Sequence, residues 1–179
     1  MLKSILHSST TKFEKQYNYD AGYMHQIIDA STGAGLRLGL LPMLSQYQGP
    51  RAAKDVWAGA AFASTLDGDC GSCAQLIVDQ AVELGVEPFE LEQCAKGEAR
   101  TDSDCGLGFL FAQAAIIGAP NVLELRDEIV RRYGEKAAVA VSFAAACGRI
   151  YPVLKRATGN VGACNILQFG KSEQKRQSS

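Results

Sequence analysis

Two cysteines three positions apart, Cys70 and Cys73, are the residues of this chain whose type and spacing could do chemistry. They sit in Asp67-Gly-Asp-Cys-Gly-Ser-Cys-Ala-Gln-Leu-Ile. A thiol is a poor nucleophile until it loses its proton, and the amides and positive dipole end of a helix N-terminus favour the thiolate. A two-residue gap brings the second sulfur within reach of the first, as thiol–disulfide chemistry requires. Asp69 is a good N-cap residue, so the pair is expected in the first turn of a helix. Asp67 and Asp69 oppose that effect, since their charge beside Cys70 disfavours ionisation.

The positioning elements read as helices, with strand signals nearly absent. The Cys-x-x-Cys helix is expected to run from Cys70 to about Leu84 and to stop at Gly85. Its apolar positions, Cys73, Leu76, Ile77, Ala81 and Leu84, share one face, which places Cys73 toward the core and Cys70 at the helix mouth. Upstream, one helix is predicted from Asp20 to about Ala30, and a second after the Gly33–Gly35 break, bent or restarted at Pro42. A third opens at Gly49-Pro50 and closes at Gly68. Downstream, Pro88–Lys96, Cys105–Ile117, Val122–Tyr133 and Glu135–Ala157 follow, with Gly97, Gly118, Gly134 and Gly159 as stops and Pro152 kinking the last near Ile150. These signals predict an all-α fold, an antiparallel bundle of about seven to eight helices. One all-α domain is expected over residues 1–170, with its core at about 50–160, a helical extension at 13–48 and a disordered tail at 171–179.

Composition narrows the function classes. The chain has 179 residues, 47% of them hydrophobic, enough for a sizeable core, and a net charge of −1. That balance carries no footprint for nucleic acid. The N-terminus is too poor in apolar residues for a signal peptide, and no apolar run is expected to cross a membrane, Ala137–Ala146 being interrupted by Ser142. A cytoplasmic protein is the expectation. Six cysteines without an export signal argue against a disulfide framework. Cys94 and Cys105 read as isolated, and Cys147 as a small core residue. No metal is expected, because a structural zinc site needs two further paired ligands, and no cofactor is expected. His7 and His25 read as structural.

One near-repeat tests the motif. Asp67-Gly-Asp-Cys70-Gly recurs as Asp102-Ser-Asp-Cys105-Gly, again at the start of an apolar helix. The position three after Cys105 is Gly108, so only the first copy carries a second sulfur.

The Cys70-x-x-Cys73 helix start, after an Ala-rich helix and before Gly85-Val-Glu-Pro, resembles the core of the alkylhydroperoxidase D-like, carboxymuconolactone decarboxylase family. The resemblance extends through Phe111-Ala-Gln-Ala-Ala, Leu125-Arg-Asp-Glu-Ile-Val-Arg-Arg-Tyr-Gly and Ala144-Ala-Ala-Cys-Gly-Arg-Ile-Tyr-Pro, about residues 50–160. It implies an all-α bundle that assembles as a homo-oligomer, and a cysteine pair that reduces peroxides or exchanges disulfides. It also implies a proton relay that this chain lacks: Ile77 stands where redox members carry histidine, and Ala58 where they carry glutamate.

The reading is a thiol-dependent redox protein with Cys70 and Cys73 as catalytic residues, a hydroperoxide or disulfide as substrate, an external dithiol as reductant, and no nucleic-acid or membrane partner. By resemblance Cys73 is the peroxide-reacting sulfur; by exposure Cys70 is an equal candidate. Asp67, Asp69 and Asp79 are the groups that could stand in for the missing relay; Gln75 could position a water but cannot take a proton. One rival is a lactone decarboxylase or isomerase built on Arg149, Tyr151 or His25. The other is a non-enzymatic oligomeric protein that has kept the fold and lost the relay.

Overall fold

Helices begin and end in the structure, a computed structural model, largely where proline, glycine and capping residues punctuate the sequence. Residues 1–160 and 167–170 are described; Cys164 and the expected disordered tail at 171–179 lie outside them. The segments are α1 (Leu2–Tyr17), α2 (Gly22–Ala30), α3 (Thr32–Leu40), α4 (Pro42–Ser45), α5 (Lys54–Asp67), α6 (Gly71–Glu83), α7 (Pro88–Ala95), α8 (Asp104–Ile117), α9 (Val122–Tyr133), α10 (Glu135–Cys147) and α11 (Ile150–Ala157), with a 3-10 turn at Arg51–Ala53. No strand is present among the described residues. The fold is all-α, as the sequence predicts. α1 is additional to the expected helices, and two of those are split, one at Pro42 and one at Gly148–Arg149.

The core is organised around α5, in which every residue from Val56 to Thr65 is buried. A helix buried all round needs close neighbours, and two glycines supply them. A Cβ on Gly59 would lie 1.9 Å from the Cys105 carbonyl oxygen of α8, and one on Gly108 would lie 1.8 Å from the Val56 carbonyl oxygen of α5. The α5 and α8 backbones therefore touch, leaving room for no side chain at either point. On another side of α5, the Ser64 hydroxyl donates to the Ala145 carbonyl of α10 at 2.6 Å.

The stretch Glu135–Ala157 has the length and apolarity of a membrane span, contrary to the sequence expectation. Its apolar residues include the buried Ala137, Ala140, Val141 and Ala144 of the main core cluster. The stretch is interrupted at Gly148–Arg149, two residues earlier than the kink expected near Ile150. Pro152 then falls in the first turn of α11, where its missing N–H breaks no helical hydrogen bond.

The N-terminal segments form a second layer. Tyr19, Ala21, Tyr23 and Cys73 make a small apolar cluster apart from the main core, flanked by Phe13, Tyr17, Met24, Ile27, Leu76 and Leu154. The cysteine pair thus lies at the seam between the N-terminal helices and the α5–α11 bundle. By contrast α1 has no fully buried residue. Polar contacts hold it: His7 Nδ1 lies 2.6 Å from His25 Nδ1 with the two rings stacked, His7 Nε2 meets Asp29 at 3.1 Å, and His25 Nε2 meets Glu14 at 3.2 Å.

Candidate functional site

Cys70 is the N-cap of α6, not its first helical residue. Asp69, expected in that role, has φ +52°, in the left-handed region that aspartate tolerates better than most residues. Its amide donates to Leu66 at 2.9 Å to close the turn after α5, so the helix starts one residue later. The consequence suits the thiol: Cys70 stands in front of the free amides of α6, and Cys73, one turn on, points inward. Cys70 is partly exposed and Cys73 only 3% exposed, as their spacing predicts.

The two sulfurs lie 2.9 Å apart as free thiols. Sharing one proton between them separates their acidities. Hydrogen bonding from Cys73 is the main cause that lowers Cys70 from an ordinary 9.0 to about 5; burial opposes it, while the Ser72 hydroxyl, the Cys73 backbone amide and Lys155 add to it. Cys73 moves the other way. Its hydrogen bond to Cys70 and its burial raise it far above the ordinary thiol value, against a smaller lowering from the Tyr19 hydroxyl 3.2 Å away. The arrangement favours the thiolate at Cys70 and keeps the proton on the partner behind it.

Lys155 was not anticipated from sequence. It is a buried lysine, 3% exposed, on the inner face of α11. Its Nζ donates to Ser72 Oγ at 3.3 Å and to the Asp20 carbonyl at 3.4 Å, and lies 5.1 Å from the centre of the Tyr19 ring. Because an ammonium can only donate, the Ser72 hydroxyl is left to donate onward to Cys70 Sγ, 3.4 Å away. The buried lysine, 3.8 Å from Asp20 Oδ2, thus favours the thiolate both by its charge and through one hydroxyl. The available signal was helical spacing: Lys155 is three residues after buried Pro152 and four after Tyr151, the place of an apolar residue.

The aspartates that oppose ionisation are drawn away by arginines. Asp67 pairs with Arg149 Nε at 2.8 Å, and Asp69 lies 3.9 Å from Arg156. Gln75 donates to Asp79 at 2.9 Å and to the Gln168 carbonyl at 3.1 Å, which occupies both away from the sulfurs. Ala58 is fully buried in the core and Ile77 is half-buried, so neither position holds a hidden polar group. Nor do the rival's residues converge. His25 is bound to Glu14 and His7, Arg149 is held by Asp67, and the Tyr151 hydroxyl lies 3.3 Å from Ser45.

Cys94 and Cys105, isolated in sequence, are neighbours in space. Their sulfurs are 3.9 Å apart, with exposures of 2% and 1%. Contact with Cys94, then burial, then the charges of Glu90 and Asp55 raise Cys105 far above the ordinary value. Among the described residues no group of three or more His, Cys, Asp or Glu side chains gathers as a metal site. No family model, curated protein or solved structure matches this chain.

Proposed function

We propose that the chain is a cytoplasmic dithiol redox protein of the alkylhydroperoxidase D-like kind, with Cys70 as the attacking sulfur and Cys73 as the resolving one. The observation that carries the reading is the 2.9 Å pair, in which a half-buried thiolate faces a buried thiol. With a hydroperoxide, Cys70 sulfur attacks the terminal oxygen, an S–O bond forms, the O–O bond breaks, and the alkoxide leaves and takes a proton from solvent. Cys73 sulfur then attacks the sulfenic sulfur of Cys70 and its proton goes to the departing hydroxide, leaving water and a Cys70–Cys73 disulfide. The sum is two thiols and one hydroperoxide giving a disulfide, an alcohol and water. An external dithiol returns the pair to thiols by two exchange steps. A disulfide substrate follows the same order, with a mixed disulfide at Cys70 in place of the sulfenic acid.

This reading reverses the roles that the resemblance implies. The His and Glu relay is replaced in function by lowering the attacking thiol outright, through Cys73, Ser72 and Lys155, so that no base is needed for the first step. Lys155 is a positioning residue here, since it touches Ser72 and not the reacting sulfurs. A homo-oligomer belongs to the same proposal.

The test is consumption of tert-butyl hydroperoxide with dithiothreitol as reductant. Wild type turns over and Cys70→Ser abolishes attack; Cys73→Ser, given peroxide after the reductant has been removed, reacts once and stops as a Cys70 sulfenic acid visible by mass spectrometry. Peroxide loss that survives both substitutions overturns the proposal, as does equal turnover by Cys70→Ser and wild type.

A further inference from the structure

Tyr19 is a buried phenol, 6% exposed, to which the steps above give no task. It sits on the link between α1 and α2 and is fixed there by its neighbours. Asn18 turns the chain at φ +49°, in the left-handed region that asparagine tolerates. The Tyr19 amide donates to the Glu14 carbonyl at 3.1 Å, and its ring packs edge-on against Phe13 with 5.6 Å between centres. The fixed ring carries its hydroxyl to 3.2 Å from Cys73 Sγ. The Lys155 ammonium lies 5.1 Å from the centre of the same ring, and a cation beside a phenol strengthens its O–H as a donor.

Proton counting gives the direction of the bond. Cys73 directs its one proton at Cys70, 2.9 Å away, and burial keeps the Tyr19 proton on its oxygen. The phenol is therefore the donor and the Cys73 sulfur the acceptor. In the reduced pair this bond is outweighed. Cys73 is raised by its bond to Cys70, by burial and by the Cys70 charge, while the Tyr19 bond and the Lys155 charge oppose them. Oxidation changes the balance. Once the Cys70 sulfur carries oxygen it is no longer an anionic acceptor, and both of its contributions go. The Tyr19 hydroxyl and Lys155 then act on Cys73 against burial alone.

We propose that Tyr19 is a catalytic residue of the resolving step, its hydroxyl donating to the Cys73 sulfur as that sulfur loses its proton and attacks Cys70. This role rests on the redox reading above. In that step the S–S bond forms as the S–O bond of Cys70 breaks. The Cys73 proton goes to the departing hydroxide to give water, and Tyr19 keeps its own proton throughout. The first step belongs to Cys70, which contacts Ser72 and Cys73 and not Tyr19.

Reduced protein freed of reductant is mixed with tert-butyl hydroperoxide and quenched into dimedone, and mass spectrometry follows the Cys70 sulfenic acid and the Cys70–Cys73 disulfide against time. Tyr19→Phe is expected to form the sulfenic acid at the wild-type rate. Its conversion to disulfide is expected to be about tenfold slower at neutral pH, the loss of one hydrogen bond to a forming anion, with the gap closing as the pH rises. Conversion at the same rate in both proteins overturns this role and leaves the redox reading standing. Equal slowing of both steps at every pH marks Tyr19 as a structural part and overturns the role too. No Cys70 sulfenic acid or disulfide in wild type overturns the redox reading and this role with it. If Tyr19→Phe does not fold, the wild-type chain carrying 3-fluorotyrosine at its six tyrosines decides, since among the described residues only Tyr19 of these touches a sulfur of the pair. The more acidic phenol is expected to shorten the lifetime of the sulfenic acid several-fold, and an unchanged lifetime overturns the role.

Discussion

Two cysteine pairs in one chain, opened by the same five-residue pattern, end in opposite chemical states. In Asp67-Gly-Asp-Cys70-Gly the helix begins at Gly71, after the cysteine; in Asp102-Ser-Asp-Cys105-Gly it begins at Asp104, before the cysteine. The reason for the offset is local. Ser103 accepts the Gly106 amide at 3.1 Å and caps α8, while its counterpart Gly68 has no side chain to do so and Asp69 turns left-handed. A shift of two residues rotates a side chain by about 200° around a helix with 3.6 residues per turn. Cys70 is left at the mouth beside Ser72, and Cys105 is carried into the α5 contact. The pattern starts a helix; the cap decides what its cysteine becomes.

The widest separation between the pairs is in reactivity. Iodoacetamide at neutral pH is expected to label Cys70 about a thousandfold faster than Cys94 or Cys105, which stay unlabelled until the protein unfolds. Peptide mass spectrometry against time reads this. Comparable rates at the two pairs would erase the distinction.

The buried pair is broken most sharply from its floor. Gly59→Ala puts a methyl group onto the Cys105 carbonyl, and a loss of about 3 kcal/mol in urea unfolding is expected. A change under 0.5 kcal/mol would show that α5 and α8 separate easily.

The reactive pair is sharpened through Lys155. Lys155→Met removes the cation behind Ser72, and the midpoint of the Cys70 alkylation profile is expected to move up by about one pH unit. The rates at Cys94 and Cys105 serve as unmoved controls. An unchanged midpoint would mean that Cys73 and Ser72 set the acidity without the cation.

The smallest contrast is in stability against pH. Cys70 is lowered from 9.0 to about 5 on folding, so its thiolate contributes stability that is fully present above pH 9 and is lost as the pH falls toward 5. Cys105 is raised on folding, so its contribution is lost as the pH rises above 9. Melting of the reduced protein should therefore fall more steeply between pH 9 and pH 5 than melting of Cys70→Ser. Parallel curves would place the Cys70 shift elsewhere than in the folded state.

The part of this arrangement that local sequence encodes was legible. Gly85, Gly118 and Gly134 marked helix ends, and three–four spacing assigned Cys73 inward and Cys70 outward. What local sequence does not encode is which distant charge meets which. Asp67 and Asp69 read as obstacles to ionisation because Arg149 and Arg156 lie more than eighty positions away in the chain. Ser72 stood inside the motif without a role, because that role comes from Lys155 on another helix. Cys94 and Cys105 read as isolated because the α7–α8 packing that joins them carries no sequence spacing. α1 escaped notice because its few apolar contacts, Phe13 and Tyr17 against the Tyr19–Tyr23 cluster, are partly buried and set among polar residues.

That last property has a kinetic side. A helix with no fully buried side chain, fastened through His7, His25, Asp29 and Glu14, is the kind of element that opens at low free-energy cost while the rest of a protein stays folded. Amides of α1 should exchange with deuterated solvent well before those of α5, whose ten consecutive buried residues open only with the whole bundle.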